Sequence, residues 1–350
     1  MQAERFRQPK GNAAMTPDPK VVTFAVLGCG RIGRMHAAGL ARHPRAKLVS
    51  VFDVSDAAAS ETAERLGVAK AASVEAILAD PAIQAVLIAS PTPTHVDLII
   101  AAARAGKAIL CEKPIDIDME RVRFCAEAIA DIDVTIMIGF NRRFDPSFRA
   151  IRERVQSGEI GTVEQVIISS RDPEPPQPHF LAASGGMFRD MAIHDFDMAR
   201  YLVGDIAEVH AFGAVLVDPA IGAAGDIDSA MITLRARSGA LVHINNTRRC
   251  VYGYDQRLEV FGSGGMLLAG NRTQTTVQAS TAQHSGAANV LLHSFIERYT
   301  EAYAAEVDHF VQCLHSKTTP MTNFADGVEA LRIAEAALES MKTGRSIRLD

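Results

Sequence analysis

Short apolar runs alternate with longer alanine-rich stretches along the first part of the chain, up to Phe140. The apolar runs occupy residues 21–27, 48–53, 85–90, 108–111 and 135–139. Between them, apolar residues at helical spacing cover residues 57–66, 74–78, 96–105 and 120–130. Strands that are apolar on both faces and alternate with helices are typical of a parallel sheet covered by helices on each side. We therefore predict an α/β domain with a doubly wound parallel sheet at 21–141.

The pattern changes after Phe140, where apolar and polar residues alternate singly, as in the run from Ala230 to Arg235. Such alternation indicates strands with one buried and one exposed face, and short turns between them favour antiparallel pairing. Strands are predicted at 163–170, 209–217, 229–235, 240–245 and 257–261, and helices at 146–156, 295–314 and 325–342. We therefore predict an α+β domain at 142–350 with a large, mostly antiparallel open sheet. Residues 1–20 are predicted to be a mobile polar extension.

Composition and charge exclude several classes of protein. The chain has 36 Lys and Arg against 41 Asp and Glu, a net charge of -5, and it has no basic block, so we expect no nucleic-acid partner. No apolar window approaches the ~18 residues of a membrane span, so we expect no membrane partner. The five cysteines are scattered and never form CxxC, which disfavours a disulfide framework or a zinc site. We expect a cytoplasmic protein.

A glycine motif follows the first apolar run and precedes a predicted helix. The GxGxxG motif is Gly28, Cys29, Gly30, Arg31, Ile32 and Gly33. Its glycines allow a tight turn, close approach of a pyrophosphate and close helix packing, and the helix N-terminus offers free N–H groups. Asp53, at the end of the next strand, is suited to accept hydrogen bonds from the adenosine ribose, and the residues after it offer no cation for a 2′-phosphate. This pattern predicts a Rossmann domain that binds NAD; the alternative is a turn that only packs, with Asp53 solvated.

Two further segments follow predicted strands at the carboxyl edge of the sheet, where such sheets bind ligands. The first segment, assigned to the cofactor site, contains Ser90, Pro91, Thr92 and His95. Its backbone is suited to line the nicotinamide ribose, whereas His95 itself fits an ordinary helix start better than a catalytic role.

The second of these segments contains Glu112 and Lys113, which we also assign to the cofactor site. We expect the ammonium of Lys113 beside the nicotinamide ring, where it can polarise a substrate hydroxyl. The alternative is a surface lysine at the end of a strand.

Asp190 and His194 form the strongest candidate catalytic pair. They are four residues apart, so on one helix they share a face. A neutral imidazole can accept the proton of an alcohol as hydride leaves its carbon, and a carboxylate stabilises the resulting imidazolium. The pair is also compatible with a metal site, or with a capping Asp followed by a core-facing His. No third ligand is evident, so we expect no metal.

Several sequence strings together resemble the Gfo/Idh/MocA oxidoreductases from about Val21 to the C-terminus. These strings are GCGRIGRMH, SPTPTH, CEKP and GGMFRDMAIHDFDMARYLVG. Further strings are similar to those of the inositol-oxidising members of the family, namely GFNRRFDPSF, SRDPEPP, AVLVDPAIGAAGDIDSA, YGYDQR and RYTEAYAAE.

The resemblance implies a catalytic set of Lys113, Asp190 and His194. It also implies NAD-dependent oxidation of myo-inositol at its axial hydroxyl to 2-keto-myo-inositol, the first step of inositol catabolism. A homotetramer in which the open sheets of the second domains pack together is implied as well, and outward apolar residues on such sheets give a physical reason to associate.

Polar residues near the domain junction are candidate substrate ligands. They are Asn141, Arg142, Arg143, Asp172, His179, Tyr254 and Asp255. The alternative for Arg142 and Arg143 is ion pairing between the domains, and Asp172 and His179 flank a proline-rich loop that needs no such role. Two other functions stay open, namely oxidation of another cyclitol or an aldose, and NAD binding as a sensor without catalysis.

Overall fold

The structure is a computed structural model, and it describes residues 21–176 and 184–350. The extension predicted at 1–20 and the candidate His179 lie outside the described residues. Within the described ranges, no helix is both long enough and apolar enough to cross a membrane.

Six parallel strands form one sheet in the first part of the chain. They are β1 Val22–Leu27, β2 Ala46–Phe52, β3 Ala69–Lys70, β4 Ala85–Ile88, β5 Ala108–Cys111 and β6 Ile136–Ile138. Their order across the sheet is β3-β2-β1-β4-β5-β6, and every neighbouring pair is parallel. The strand order reverses between β1 and β4, which opens a crevice at the carboxyl ends of the strands. The predicted doubly wound parallel sheet is confirmed.

Helices connect these strands and bury them. They are α1 Arg31–Arg42, α2 Asp56–Leu66, α3 Val74–Ala79, α4 His95–Arg104 and α5 Met119–Ile129, with a 3-10 turn at Thr92–Thr94. All four residues of β4 are buried, which explains why this strand is apolar on both faces. Local chemistry sets the helix ends: Ser55 caps α2 by accepting a hydrogen bond from the Ala58 N–H, and Gly67 ends that helix in the left-handed region.

A second, seven-stranded sheet follows. The strands of the second part, in chain order, are β7 Val163–Arg171, β8 Ile206–Ala214, β9 Ser229–Ala236, β10 Leu241–Thr247, β11 Asp255–Gly262, β12 Gly265–Ala269, β13 Gln278–Ala279, β14 Ala287–Ala288 and β15 Ile347–Arg348. The sheet has the order β12-β11-β7-β10-β9-β8-β15, while β13 and β14 form a separate hairpin. Only β7 and β10 pair in parallel within this sheet as described. The predicted mostly antiparallel sheet is confirmed.

One face of this sheet is covered and the other is open. The helices of the second part are α6 Pro146–Gln156, α7 Met187–Asp190, α8 Ile193–Val203, α9 Pro219–Ala223, α10 Phe295–Arg298, α11 Thr300–Ser316 and α12 Phe324–Thr343, with a 3-10 turn at Asn141–Phe144. Helix α12 packs on β8 and α8 packs on β7. The outward residues of the strands form what we call the open sheet face, with the large apolar side chains Ile167, Phe212, Met231, Leu241, Phe261, Met266 and Leu268.

The last helices return to the first sheet. Helix α11 packs on α1, and α12 contacts β6. The Ile138 N–H donates to the Thr322 carbonyl at 2.7 Å, and Met137 forms an antiparallel bridge with Asn323. The segment before α12 therefore covers the outer edge of β6. The division into domains at 21–141 and 142–350 stays a prediction.

Several elements differ from those predicted, and the short strands β3, β13, β14 and β15 were not predicted. The helix expected at 295–314 is two helices, α10 and α11, that meet at Tyr299. Strand β8 begins and ends three residues earlier than the predicted 209–217. Strand β12 was not predicted because glycines at its start weaken the strand signal, and pairing with β11 defines it instead.

Candidate active site

The glycine turn between β1 and α1 has the geometry that its residue types predict. Gly28 has a φ of 104°, in the left-handed region, and its N–H donates to the Phe52 carbonyl at 2.8 Å. A Cβ on Gly33 would lie 1.9 Å from the Gly28 carbonyl oxygen, so any larger residue would push α1 away from the turn. A Cβ on Gly30 would meet nothing within 4 Å. The space beside Gly30 is thus open to a ligand.

The N-terminus of α1 fits a diphosphate. Its N-cap, Gly30, has no side chain to cap the helix, and the first turn contains no acidic residue. The free N–H groups and the positive end of the helix dipole therefore face this open space. Arg31 and Ile32 lie in the first turn, and the Arg31 guanidinium stacks 4.6 Å from the centre of the Phe295 ring.

Asp53 faces the glycine turn from the end of β2. One carboxylate oxygen accepts a hydrogen bond from the Cys29 N–H at 2.6 Å, and the other accepts one from the Ser55 N–H at 2.7 Å. Each oxygen keeps a further acceptor site, which suits two ribose hydroxyls. The fully exposed residue beside it is the neutral Val54, so nothing immediately after Asp53 attracts a 2′-phosphate.

The buried side chain of His95 holds the segment after β4 in place. This imidazole is 1% exposed, and its two ring nitrogens lie 2.8 Å from the carbonyl oxygens of Ser90 and Pro114. Burial lowers the pKa of His95, while the two carbonyl oxygens act in the opposite direction. Pro91 and Thr92 continue the same turn. The side chain of His95 therefore holds the two loops together and is not itself accessible to a dinucleotide.

Glu112 anchors the segment that contains Lys113. Its carboxylate lies 2.8 Å from His36 Nε2 and accepts a hydrogen bond from the Lys113 N–H at 3.2 Å. Burial disfavours its charged form, but the hydrogen bond and charge of His36 and the ammonium of Lys113 hold the pKa of Glu112 below its usual value. The Lys113–Pro114 peptide bond is cis. The hydrogen bond to the Lys113 N–H ties this part of the backbone to Glu112.

Lys113 and Asp190, which are far apart in sequence, meet in space. Lys113 Nζ donates to the Asp190 carbonyl oxygen at 2.8 Å and to its Oδ1 at 3.2 Å. The side chains of both residues are about one-sixth exposed, at 16% and 17%. An ammonium at the carboxyl edge of the first sheet thus joins a carboxylate from the second part of the chain, in a position that a ligand can still reach.

The prediction that one helix carries both Asp190 and His194 was wrong. Asp190 ends α7 and His194 lies in the first turn of α8, with Met191 and Ala192 between the helices. The break arises at Ala192, whose N–H donates to the Met187 carbonyl five residues back, so a wider, π-type turn interrupts the helical hydrogen-bond pattern.

His194 has the character of a neutral base. Its Nδ1 is buried and has no hydrogen-bond partner among the described residues, and its ring meets that of Phe140 edge to face at 6.2 Å. Burial, together with the positive charges of Lys113 and Arg142, lowers the pKa of His194 well below its ordinary value. An imidazole in these surroundings is uncharged at neutral pH and can accept a proton.

The arginines after β6 are engaged in ion pairs. The alternative for them in the sequence was ion pairing between the domains, whereas Asp195 and Asp197 lie with them in the predicted second domain. Arg142 donates to Asp195 at 2.5 Å and to Ser170 at 3.1 Å, and Arg143 pairs with Asp197. Both arginines are 5% exposed or less. Since their donors already have partners, these side chains are buried parts of the cleft wall.

Asn141, next to them, differs because it keeps free hydrogen-bonding capacity. Its amide nitrogen is buried and has no hydrogen-bond partner within the described ranges. An unpaired buried donor is costly, so this amide suits a ligand oxygen.

Asp172 and Tyr254 lie at one edge of the second sheet. Asp172 follows β7, and Tyr254 precedes β11, which pairs with β7 there. Burial raises the pKa of Asp172 to about 6. Tyr254 is 6% exposed, and burial raises its pKa well above 10. The carboxylate of Asp255 is engaged in structural hydrogen bonds, since Arg257, Asn271 and Tyr252 all donate to it.

Sequence reasoning missed one charged residue of this cleft, Arg248. It is 1% exposed and lies 3.4 Å from Asp190 Oδ2. The predicted strand ended at 245, and its pairing was taken as antiparallel, so nothing in the pattern brought Arg248 to the edge at which Asp172 lies.

Among residues 21–176 and 184–350, no group of three or more His, Cys, Asp or Glu is placed to hold a metal ion.

The glycine turn, the ribose acceptor and the Lys113–Asp190 pair define an NAD-dependent oxidoreductase with a Rossmann domain. Residues 22–140 match the family model described as an oxidoreductase family with an NAD-binding Rossmann fold, and residues 148–268 match the GFO/IDH/MocA C-terminal domain. The chain belongs to the Gfo/Idh/MocA family.

Named relatives cover nearly the whole chain. An inositol 2-dehydrogenase of Rhizobium meliloti (strain 1021) is 46% identical over 94% of this chain and 99% of its own length. A myo-inositol 2-dehydrogenase of Thermotoga maritima is 44% identical over 93% of this chain and 98% of its own length.

Solved structures agree with these relatives. The crystal structure of a myo-inositol dehydrogenase from Corynebacterium glutamicum is 47% identical, with a TM-score of 0.92 and coverage of 94% of this chain and 99% of that one. A scyllo-inositol dehydrogenase from Lactobacillus casei, solved with NAD(H) and scyllo-inositol, is 28% identical, with a TM-score of 0.87 and coverage of 94% and 99%.

Proposed function

We propose that this protein is an inositol 2-dehydrogenase that oxidises the axial hydroxyl of myo-inositol to give 2-keto-myo-inositol, in inositol catabolism. The relatives that share 44–46% of its residues over nearly their full length carry this activity in their names. The observation that carries the proposal is the meeting of Lys113 and Asp190 beside the neutral imidazole of His194, at the carboxyl edge that fits NAD.

In this proposal, His194 is the general base and Lys113 polarises the reacting hydroxyl. NAD, when bound, supplies the hydride acceptor. The hydroxyl proton passes to the imidazole, the C–H bond breaks with its electron pair leaving as hydride, and a C=O bond remains. The ammonium of Lys113 stabilises the oxygen as negative charge develops, and Asp190 balances the charge of the imidazolium.

The remaining ring hydroxyls need several fixed polar partners, because stereoisomers differ only in the direction of these groups. We assign this role to Asn141, Asp172 and Tyr254, with Arg142 as a buried support. The unpaired amide nitrogen of Asn141 and the half-buried carboxylate of Asp172 support the assignment.

Assembly and location belong to the same proposal. The large apolar side chains of the open sheet face support a homotetramer in which these faces pack together. The five cysteines are all free and buried, which supports a reducing compartment such as the cytoplasm.

The test is turnover on a panel of polyols. Purified protein with NAD and myo-inositol is expected to form NADH, measured by its absorbance, and scyllo-inositol, D-chiro-inositol and glucose complete the panel. His194→Ala is expected to lower kcat by roughly 100-fold or more while leaving NAD affinity unchanged, because it removes only the base.

His284→Ala serves as the matched control, since His284 is exposed and lies outside the cleft. Stoichiometric NAD binding without turnover on any polyol would overturn catalysis and favour a sensor. If another polyol of the panel is oxidised faster, that polyol is the substrate in place of myo-inositol.

A further inference from the structure

Arg248 is a buried arginine at the edge where the second sheet meets the cleft. It follows β10 directly, and its N–H donates to the Asp228 carbonyl at 2.9 Å. Strands β7 and β10 are parallel neighbours, with Arg171 opposite Thr247 in register. Parallel strands end at the same edge, so Asp172 and Arg248, the next residue of each strand, lie side by side.

The side chain of Arg248 faces carboxylates. Its Nη2 lies 3.4 Å from Asp190 Oδ2 and 3.9 Å from Asp226 Oδ2. Its Nε has no partner among the described residues, and the side chain is 2% exposed. A buried guanidinium is stable only when anions face it, so these carboxylates and the arginine depend on one another.

Asp190 therefore lies between two cations from different parts of the molecule. Lys113 Nζ, from the edge of the first sheet, contacts Oδ1 at 3.2 Å, and Arg248, from the second sheet, contacts Oδ2. A rotation of the carboxylate that turned both oxygens towards the ammonium would break the contact with Arg248. Such a rotation would draw Lys113 away from the reacting hydroxyl.

We propose that Arg248 is a positioning residue for the oxidation reaction, which acts by fixing the orientation of Asp190 and, through it, of Lys113. This role rests on the proposed function of Lys113 and Asp190. Arginine suits it better than lysine, because a planar, pre-organised guanidinium loses less freedom when one of its nitrogens is held near the carboxylates of both Asp190 and Asp226.

A purely structural role is the competing explanation. Asp226 accepts a hydrogen bond from the Met187 N–H at 3.0 Å, so Arg248 could act only by supporting the start of α7. The two explanations differ in kinetics, because loss of structural support would affect the fold whether or not Asp190 carries a charge.

The experiment is a double-mutant cycle with Arg248→Met and Asp190→Asn. The Arg248→Met variant is expected to lower kcat by roughly 100-fold, the loss expected when a reacting group is displaced by about 1 Å. In the Asp190→Asn background, the same change is expected to cost about 3-fold or less, because groups that act as a unit are not additive. Losses that multiply in full would overturn the proposal.

Binding and rescue separate positioning from folding. NADH affinity, measured by nucleotide fluorescence in this tryptophan-free chain, is expected to stay unchanged in Arg248→Met. Arg248→Lys is expected to recover part of kcat, because it restores the charge but not the planar geometry. Arg249→Met is the matched control, since the neighbouring Arg249 is exposed and is expected to keep wild-type kinetics. Wild-type kcat in Arg248→Met, or a parallel fall in NADH affinity, would contradict the role.

The pH profile gives a further readout. Among the described residues, the charged groups that act on Asp172 are Arg248, Asp190, Arg142 and Asp195, and Arg248 lowers its pKa. Removal of this cation in Arg248→Met should move the acid limb of kcat/KM to higher pH, whereas Arg248→Lys should not move it. All kinetics use whichever polyol of the panel the wild-type protein oxidises. If the protein does not oxidise inositol, the proposed substrate is wrong, but the test of Arg248 still applies.

Discussion

Asp172 is a carboxylate of the cleft whose charge changes not far below neutral pH. Burial raises its pKa to about 6, with the nearby Asp190 adding to the shift and Arg248 and Arg142 opposing it. The charged form, which accepts hydrogen bonds from hydroxyls, is therefore present above this pH and is lost as the pH falls through it. The pKa of His194 lies well below its ordinary value, so the imidazole protonates only at lower pH.

We expect Asp172→Asn to remove the inflection near pH 6 from the profile of kcat/KM for the polyol. At neutral pH, kcat/KM should fall by roughly 10- to 100-fold, the cost of losing a hydrogen bond to a charged group. Steady-state kinetics over the acid range measure both effects. Asp131→Asn, at an exposed position, is the control, and an inflection that persists near pH 6 in Asp172→Asn would rule out this carboxylate.

Individual residues were predictable from sequence where a motif ties them to a strand end. Lys113 follows β5, and the structure brings it into contact with Asp190. That both act on one substrate stays a prediction. The helical spacing of Asp190 and His194 was misleading, because a wider, π-type turn at Ala192 interrupts the helix between them. The lowered pKa of His194 comes first from burial and then from the positive charges of Lys113 and Arg142, which are distant in sequence. No local pattern contains that information.

At the scale of elements, the contact between β1 and α1 carries the cofactor site. The Gly33 position leaves no room for a Cβ, whereas a Cβ added at Gly39 of the same helix would meet no atom within 4 Å. The two glycines therefore make a matched pair within α1.

We expect Gly33→Ala to weaken NAD binding by about tenfold or more and to destabilise the fold by about 1–3 kcal/mol, because the added methyl displaces α1 from the turn. Gly39→Ala should leave binding unchanged and stabilise the helix by at most ~1 kcal/mol. Fluorescence titration with NADH and thermal unfolding measure these effects. Equal behaviour of the two variants would show that the packing at Gly33 is not limiting.

Most elements were predictable from periodicity, and the strands that were missed share a physical cause. Strand β4 is fully buried, β5 is nearly so, and both are strongly apolar, so they begin where the pattern predicts. Strands β3 and β12 depend on pairing with a neighbour, because their own residues carry little strand propensity. The parallel pairing of β7 with β10 is non-local, and it is this pairing that brings Arg248 to Asp172.

At the scale of the whole molecule, the open sheet face exposes a group of large apolar side chains to solvent. Met231 lies near its centre, paired with Phe212 on one side and Asn245 on the other, and it is 54% exposed. An apolar surface of this kind gains free energy when a second copy covers it.

We expect Met231→Glu to dissociate the proposed homotetramer, because it introduces an unpaired charge into a buried interface. Size-exclusion chromatography with light scattering measures the molecular mass. Val277→Glu is the control, since Val277 is 68% exposed and lies outside the seven-stranded sheet. An unchanged mass in Met231→Glu would exclude this face as the interface.

The order in which the chain is synthesised has a consequence for the nucleotide-binding half. The outer edge of β6 is covered by the segment that contains Thr322, and Thr322 is synthesised 184 residues after Ile138 (322 − 138). Until then the nascent sheet presents a bare apolar strand that can recruit a neighbouring polypeptide. A fragment cut out after Asn141 would keep that exposed strand permanently, and its yield as folded material should suffer accordingly.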